Sequence, residues 1–405
     1  MKQPKKSASV KKPGKTSQSV PVYLLAGVLL FVLVAFYSSI KNGFTNWDDP
    51  SLITENPLIK ELSLTNLKRI FTENYFGNYQ PLHLFSYALE YHFFGLNPEG
   101  YHMVSIMMHL VNTILVFYVV RFFTQENNMA ALSGALLWAI NPMRTESVCW
   151  AAERKDMLYA MFFFMAMLSY LKYVSSIKMK SRQELILLIA AFLFFTLSVF
   201  SKAMAVSLIP VLLLIDYYYK RKPDFRLFAE KIPFALLAVL MGLRSVSAAS
   251  AEGSVDTSGN YTILDRLFFA SQNLLMYAIK SIFPFSQSAF YDYPEKAGNF
   301  LPYSYYISGF VIVLISGYLI SRIFKNRELV FICGYFIATV FLVLMILPVG
   351  PTIFNERYTY VPSVMIFAGT MNFLFNEKRF ANFNRNILMA CIILTAILYA
   401  YKTNE

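Results

Sequence analysis

The sequence predicts an all-α polytopic membrane protein with about eleven transmembrane helices. Of its 405 residues, 57% are hydrophobic and only 15% are charged, whereas about a quarter of the residues are charged in a typical soluble domain. Several apolar runs approach the roughly 20 residues that cross a hydrocarbon core. Lysines and arginines cluster in short loops between these runs, so the net charge of +12 indicates a membrane protein that follows the positive-inside rule and argues against nucleic-acid binding.

The N-terminus predicts a cytoplasmic tail and a retained anchor. Residues 1–20 contain six lysines, and this basic segment is expected to be disordered. The apolar run 21–40 is long and lacks the small-x-small pattern of a cleavable secretory signal. Residues 21–405 are therefore predicted to form one membrane domain.

Apolar runs alternate across the bilayer when the tail is placed inside. They lie at about 21–40, 102–120, 130–141, 157–174, 185–200, 203–219, 232–247, 303–321, 330–347, 358–375 and 386–401. The inner loops are then 121–129, 175–184, 220–231, 322–329 and 376–385. The last four carry the clustered basic residues Lys178, Lys180, Arg182, Lys220, Arg221, Lys222, Arg226, Lys231, Arg322, Lys325, Arg327, Lys378, Arg379 and Arg385, which agrees with the charge rule and places the C-terminus outside.

A further segment, 263–283, is expected to lie on the outer face as an interfacial or re-entrant helix. It contains Asp265, Arg266 and Lys280, and a span here would invert the later basic loops. The first outer loop, 41–100, is the longest and is acidic overall. Within it, the apolar residues of 64–71 recur at helical spacing after Ser63, a suitable N-cap, which predicts an amphipathic helix on the membrane.

Cysteines and histidines do not indicate a disulfide framework or a metal site. The three cysteines, Cys149, Cys333 and Cys391, are odd in number and wrongly spaced for either. His102 and His109 are seven residues apart on one predicted helix and are expected to form hydrogen bonds within the bundle.

Asp48 and Asp49 are the first acidic residues of the chain and directly follow the first apolar run. Two carboxylates at a membrane surface are well placed to accept a proton from a hydroxyl group. The alternative is a structural turn or helix cap, since Asp49 precedes Pro50 and is restricted to extended geometry.

Four further outer segments carry candidate binding residues. The segment 141–156 places both signs of charge beside the bilayer through Arg144, Glu146, Glu153, Arg154, Lys155 and Asp156; an anionic headgroup site is favoured over an ion-pair network because guanidinium binds phosphate bidentately. Arg357, between Glu356 and Tyr358, is a second phosphate candidate or a salt-bridge partner. Lys202 either lines the site or extends its ammonium group from the bilayer into water. Asp292 lies in an aromatic loop that could contact a sugar or a peptide; the alternative is that this loop belongs to the belt of aromatic residues at the membrane interface.

Six motifs in order carry a resemblance to a known family. They are NWDDPSLITENP (46–57), NYQPLHLFSYALEYHFFGLNPEGYH (78–102), NPMRTESVCWAAERKDML (141–158), SKAMAVSLIPVLLLID (201–216), FPFSQSAFYDY (283–293) and NERYTYVPS (355–363). From about Asn46 to Pro362, the chain resembles the transmembrane-and-TPR (TMTC) O-mannosyltransferases and their bacterial relatives in the GT-C superfamily, without the TPR repeats.

The resemblance implies a GT-C bundle and an inverting transferase. The enzyme would move mannose or another hexose from a polyprenyl-phosphate donor to a hydroxyl, expected on a protein Ser/Thr, at the outer face. Asp48 would be the base and Asp49 its support. Phosphate binding is expected of Arg154, Arg357, Lys202 and Arg144; the other expected site-lining residues are Glu146, Glu153, Asp156, Glu356, Tyr358, His102 and Asp292. No metal is required because arginines meet the charge of a lipid monophosphate; the alternative is a divalent metal held by Asp48 and Asp49.

Departures from the family pattern leave the sugar and the acceptor open. Asn141 stands where the family usually has His, Ala203 where it has Glu, and Gln80 where it has Arg. A glycolipid or envelope polysaccharide acceptor is the main alternative, followed by a lipid-sugar flippase and an inactive assembly subunit. A bacterial inner membrane with a periplasmic site is expected, with the endoplasmic reticulum as the alternative.

Overall fold

The computed structural model describes residues 19–177, 182–253, 261–347, 350–376 and 384–404. The predicted tail up to residue 18 and the basic residues Lys178, Lys180, Lys378 and Arg379 lie outside these ranges. Within them the chain forms α-helices, short 3₁₀ and π turns and no strand. The helices are α1 (Val22–Phe36), α2 (Leu64–Thr72), α3 (Pro81–Phe94), α4 (Pro98–Phe123), α5 (Asn128–Ala139), α6 (Thr145–Cys149), α7 (Arg154–Ser176), α8 (Arg182–Ser201), α9 (Leu208–Tyr218), α10 (Phe225–Ala229), α11 (Ile232–Ala251), α12 (Ile263–Ile282), α13 (Tyr303–Arg322), α14 (Arg327–Val340), α15 (Ser363–Leu374) and α16 (Arg385–Asn404).

Seven helices of the described chain are long and apolar enough to cross a membrane: those built on α1, α4, α7, α8, α11, α13 and α16. Shorter apolar helices lie at Asn128–Ala139, Ala203–Tyr218 and Ser363–Leu374. The predicted all-α polytopic membrane fold is confirmed, and the count of about eleven spans stays a prediction.

Three of the loops predicted inside meet at one end of the bundle. Arg226 lies 3.4 Å from Glu184, and Arg327 donates a 2.5 Å hydrogen bond to the carbonyl of Tyr217. Asp216, at the same end, accepts a 2.9 Å hydrogen bond from Tyr170 on α7. The alternation of basic loops predicts this grouping, because loops on one side of a bilayer share one end of a helical bundle.

Helix α12 contacts the opposite end of the bundle at both of its own ends. Before its first turn, Tyr261 stacks on Tyr293, and near its last turn Lys280 lies 3.2 Å from Glu356. It is as long as a span but is not among the seven apolar ones. Its interfacial position stays a prediction.

The first outer loop builds a small core of its own. Ser63 caps α2 by accepting a 3.3 Å hydrogen bond from the amide of Asn66, so the predicted helix is present. Leu64 is 86% exposed, as an amphipathic surface helix requires; its contact with a membrane stays a prediction. The core below it contains Leu52, Ile53, Leu58, Ile59, Ile70, Leu84, Tyr87, Ala88, Tyr101, Ala151 and Ala152, so burial of apolar surface holds the Asp48 loop against the start of α7.

Candidate active site

The two aspartates have different surroundings. Asp49 is fully buried and accepts hydrogen bonds from Thr45, at 2.7 Å from the amide and 3.1 Å from the hydroxyl, and from the amide of Ala152 at 2.9 Å. Both of its oxygens are therefore used in fixing the loop. Its backbone is helical, with φ −61° and ψ −38°, so the extended geometry predicted from Pro50 is wrong. Asp48, next to it, is only half-buried, which leaves its carboxylate accessible.

Asp48 lines a small polar cavity of about 40 Å³. The other lining residues are Leu52, Tyr75, Phe76, Asn78, Gln80, His83, Leu84 and Lys155. Burial raises the pKa of Asp48 above the ordinary aspartate value; Lys155 and Arg357 oppose this rise, whereas Glu153 and Asp49 add to it. A carboxylate with a raised pKa is a better proton acceptor once it is ionised.

Beside this cavity lies an ionic cluster of six residues: Glu146, Glu153, Lys155, Asp156, Lys202 and Arg357. Glu153 is fully buried and lies 3.0 Å from Lys155 and 3.3 Å from Arg357. Arg357 also pairs with Glu146, and Lys202 pairs with Asp156. The structure thus joins segments that are about 200 residues apart in the sequence, as expected if all of them serve one site.

The three cations of the ionic cluster keep some exposure. The side chains of Arg357, Lys155 and Lys202 are 15%, 13% and 10% exposed. Aromatic rings flank them: the guanidinium of Arg357 lies 5.1 Å from the ring centre of Tyr358, and the ammonium of Lys202 lies 5.0 Å from the same centre. These cation–π contacts help to hold Arg357 and Lys202 in place, and only the donors that the neighbouring carboxylates leave unused are open to an anion.

Glu146 adds a titratable group to the ionic cluster. Burial raises its pKa to about 7, and the opposing charge of Arg357 limits this rise. Near neutral pH, Glu146 is therefore part neutral and part ionised, so the charge that faces Arg357 depends on pH.

Arg154 and Arg144 lie away from the cavity. Arg154 is fully buried, pairs with Glu90 and donates a 2.7 Å hydrogen bond to the carbonyl of Tyr101. Arg144 is also fully buried, donates a 2.6 Å hydrogen bond to Thr359 and stands over the ring of Tyr360. A phosphate contact, which the sequence predicts for both, would require these partners to be displaced.

The remaining predicted site residues are spread around the outer loops. Glu356 accepts hydrogen bonds from Tyr291 at 2.5 Å and from Gln287 at 2.9 Å, and so fastens residues 283–302 beside Arg357. Asp292 is exposed in that segment. His102 is buried beside the backbone of residues 42–43.

A metal would find few ligands in the described residues. They contain no group of three His, Cys, Asp or Glu side chains arranged to hold an ion. Hydrogen bonds engage both oxygens of Asp49, and the expected alternative of a metal held by Asp48 and Asp49 stays a prediction.

Sequence reasoning missed several residues of the site. Lys155 appeared only as one of several surface cations, although it is the cation with the largest effect on Asp48. Glu90, the partner of Arg154, and His83, on the cavity wall, carried no local signal, because both lie on α3 among apolar residues.

Comparisons with known proteins give one consistent family. No protein-family model matches the chain, and no solved structure matches it at a significant level. Protein O-mannosyl-transferase Tmtc1 of Drosophila melanogaster is 29% identical over 157 residues, which cover 37% of this chain and 18% of that protein. TMTC3 of Mus musculus is 30% identical over 156 residues (36% and 16%), and F38B6.6 of Caenorhabditis elegans is 26% identical over 212 residues (48% and 28%). The matched region spans less than a third of each of these relatives. The chain is therefore similar to the TMTC protein O-mannosyl-transferases over about a third of its own length.

Proposed function

We propose that this chain is an inverting glycosyltransferase that moves a hexose, most simply mannose, from a polyprenyl-phosphate donor to a Ser or Thr hydroxyl of a protein at the outer face of the membrane. The observation that carries the proposal is the position of Asp48. Its half-buried carboxylate lines a polar cavity with Lys155 and stands beside the partly exposed cations of the ionic cluster. The sugar and the protein acceptor are proposed from the relatives, which are named protein O-mannosyl-transferases.

The donor phosphate would bind to Arg357 and Lys202. Among the predicted phosphate-binding residues, these two keep side chains that are 15% and 10% exposed beside the cavity, whereas Arg154 and Arg144 are enclosed. Both cations pair with carboxylates in the structure, and the phosphate would displace these contacts. Arg357 would then present a planar pair of donors to two phosphate oxygens, and Lys202 would add a point charge. Both stabilise the negative charge that develops on the leaving phosphate.

Asp48 would act as the base. Its carboxylate takes the proton of the acceptor hydroxyl while the oxygen of that hydroxyl bonds to the anomeric carbon. The bond from this carbon to the phosphate oxygen breaks, and its electron pair leaves with the polyprenyl phosphate. Attack opposite the leaving group inverts the anomeric centre. Asp49 would hold Asp48 in position through its buried hydrogen bonds.

An apolar groove suits the polyprenyl tail. It has a volume of about 470 Å³ and lies between α9 and α14, lined by Pro210, Leu213, Leu214, Gly334, Ile337, Ala338 and Phe341. The short turn Ala203–Ser207 connects Lys202 directly to α9. A lipid whose phosphate reaches Lys202 would therefore place its tail along this groove.

Transfer measured with the Asp48→Asn variant tests the proposal. The assay uses purified protein in nanodiscs, labelled polyprenyl-phosphate mannose and a Ser/Thr peptide. We expect D48N to bind the donor with unchanged affinity and to lose at least about 100-fold in kcat, as removal of a general base does. Glu55→Gln is the matched control, since Glu55 is an exposed acid of the same loop and should leave kcat unchanged. Full transfer by D48N would remove Asp48 from the mechanism.

A further inference from the structure

A tight turn at the edge of the cavity has an unusual sequence. Tyr75 and Asn78 are bridged by two backbone hydrogen bonds of 2.8 and 3.0 Å. The two residues between them, Phe76 and Gly77, have φ angles of 47° and 66°. Turns of this kind favour Asn-Gly, because both central residues must be left-handed. A bulky phenylalanine in this conformation is strained.

The turn is held by one contact to the loop of Asp48 and by one contact within itself. The Tyr75 hydroxyl donates a 2.9 Å hydrogen bond to the carbonyl of Ser51, three residues after Asp48. The side chain of Asn78 donates a 2.7 Å hydrogen bond to the carbonyl of Phe76. These contacts fix the turn relative to Asp48, so the strained backbone is held in place by its surroundings.

Arg244 supports the same turn from the membrane-length helix α11. Its guanidinium lies 3.7 Å from the ring centre of Tyr79 and donates hydrogen bonds to the carbonyl of Thr72 and, at 3.3 Å, to the side chain of Asn74. The turn is thus attached both to the loop of Asp48 and to the bundle.

Full burial does not compensate for the strain at Phe76, because the residue is 43% exposed. Phe76 lines the same cavity as Asp48, whereas the cations Arg357 and Lys202 are not on that cavity's wall. We propose that Phe76 is a specificity-determining residue whose ring packs against an apolar side chain next to the acceptor Ser or Thr. This inference rests on the proposed function and concerns its acceptor side.

The test compares Phe76→Asn with Phe76→Tyr. Asparagine tolerates the left-handed conformation, so F76N should melt at the same or a higher temperature than the wild type. Its KM for a peptide with a leucine beside the threonine should rise roughly 3- to 10-fold, the size of an aromatic contact, with kcat and the KM for the donor unchanged. F76Y should restore the wild-type KM. A peptide with glycine in place of the leucine should show the same KM with wild type and F76N.

Other outcomes overturn the inference. An unchanged leucine-peptide KM in F76N would show that the ring does not contact the acceptor. A lower melting temperature together with a higher donor KM would show that the ring is structural. If the wild type transfers sugar to no peptide, both the proposed function and this inference are wrong. If the wild type transfers sugar and F76N has the same KM for the leucine peptide, only this inference is wrong.

Discussion

The carboxylate of Asp49 accepts a 2.9 Å hydrogen bond from the backbone amide of Ala152, 103 residues further along the chain. This contact joins the loop of Asp48 to the short turn Ala151–Glu153 that leads into α7. Glu153 and Lys155 follow directly, so one buried carboxylate sets the position of Asp48 relative to the ionic cluster.

Asp49→Asn should therefore weaken both stability and transfer. The amide keeps one acceptor oxygen, but its NH₂ group cannot accept the hydrogen bond from Thr45. One buried unsatisfied donor costs about 1–3 kcal/mol, so we expect a lower melting temperature and a lower kcat. Asp48→Asn, with the same change of charge at the neighbouring half-buried position, should melt like the wild type. Equal melting temperatures for D49N and D48N would contradict the structural role of Asp49.

The KM for the donor should rise as pH increases through about 7. Since burial raises the pKa of Glu146 to about 7, this group is neutral below that pH, and Arg357 then faces only one ionised carboxylate, that of Glu153. Above it, the ionised carboxylate pairs with Arg357 and competes with the donor, whose phosphodiester keeps its charge throughout.

The Glu146→Gln variant tests this pH dependence. It should keep a low and constant donor KM between about pH 6 and 8, whereas Glu55→Gln should behave like the wild type. Because the pKa of Glu146 is higher in the folded state than in the unfolded one, its contribution to stability is present at low pH and is lost as pH rises through about 7. E146Q should not show this loss of stability. If the donor KM of E146Q still rises with pH as it does in the wild type, Glu146 is not the titrating group.

Arg154→Met should destabilise the protein rather than weaken donor binding alone. The change leaves Glu90 buried without its partner, which costs about 3–5 kcal/mol. Replacing both residues, as Arg154→Met with Glu90→Leu, should recover most of the melting temperature. A stable R154M protein with a raised donor KM would instead support the phosphate contact that the sequence predicts for Arg154.

Ala338→Trp should fill the apolar groove and discriminate between donors by tail length. Each CH₂ group displaced from an apolar surface costs about 0.8 kcal/mol, so we expect a donor KM at least about tenfold higher for a long polyprenyl chain. A short water-soluble analogue should keep its KM. Leu314→Trp, on the exposed face of α13, is the control for added bulk. Equal effects on both donors would exclude the groove as the site of the tail.

Periodicity and charge predicted the all-α fold and the grouping of three basic loops at one end of the bundle, because both follow from local sequence. The meeting of Asp48 with Arg357 follows from that topology, since both lie in loops predicted on one side. The burial of Arg154 does not, because its partner Glu90 is 64 residues away. The strained turn at Phe76 also lacked a sequence signal, since a phenylalanine does not normally occupy a left-handed turn position.

Helix α7 and the segment that leads from Lys202 into α9 run parallel and are fastened to each other near both ends. Lys202 pairs with Asp156 beside the cavity, and Tyr170 donates its hydrogen bond to Asp216 at the far end. The same number of residues separates the two contacts in each segment, which is about 20 Å along α7 at 1.5 Å per residue. Sliding or unequal tilting of this pair would break one of the two contacts. We therefore expect the wall of the site that carries Lys202 to keep its geometry in thin and in thick bilayers. Less enclosed helices such as α13 should tilt instead when the bilayer thickness does not match the length of the helices.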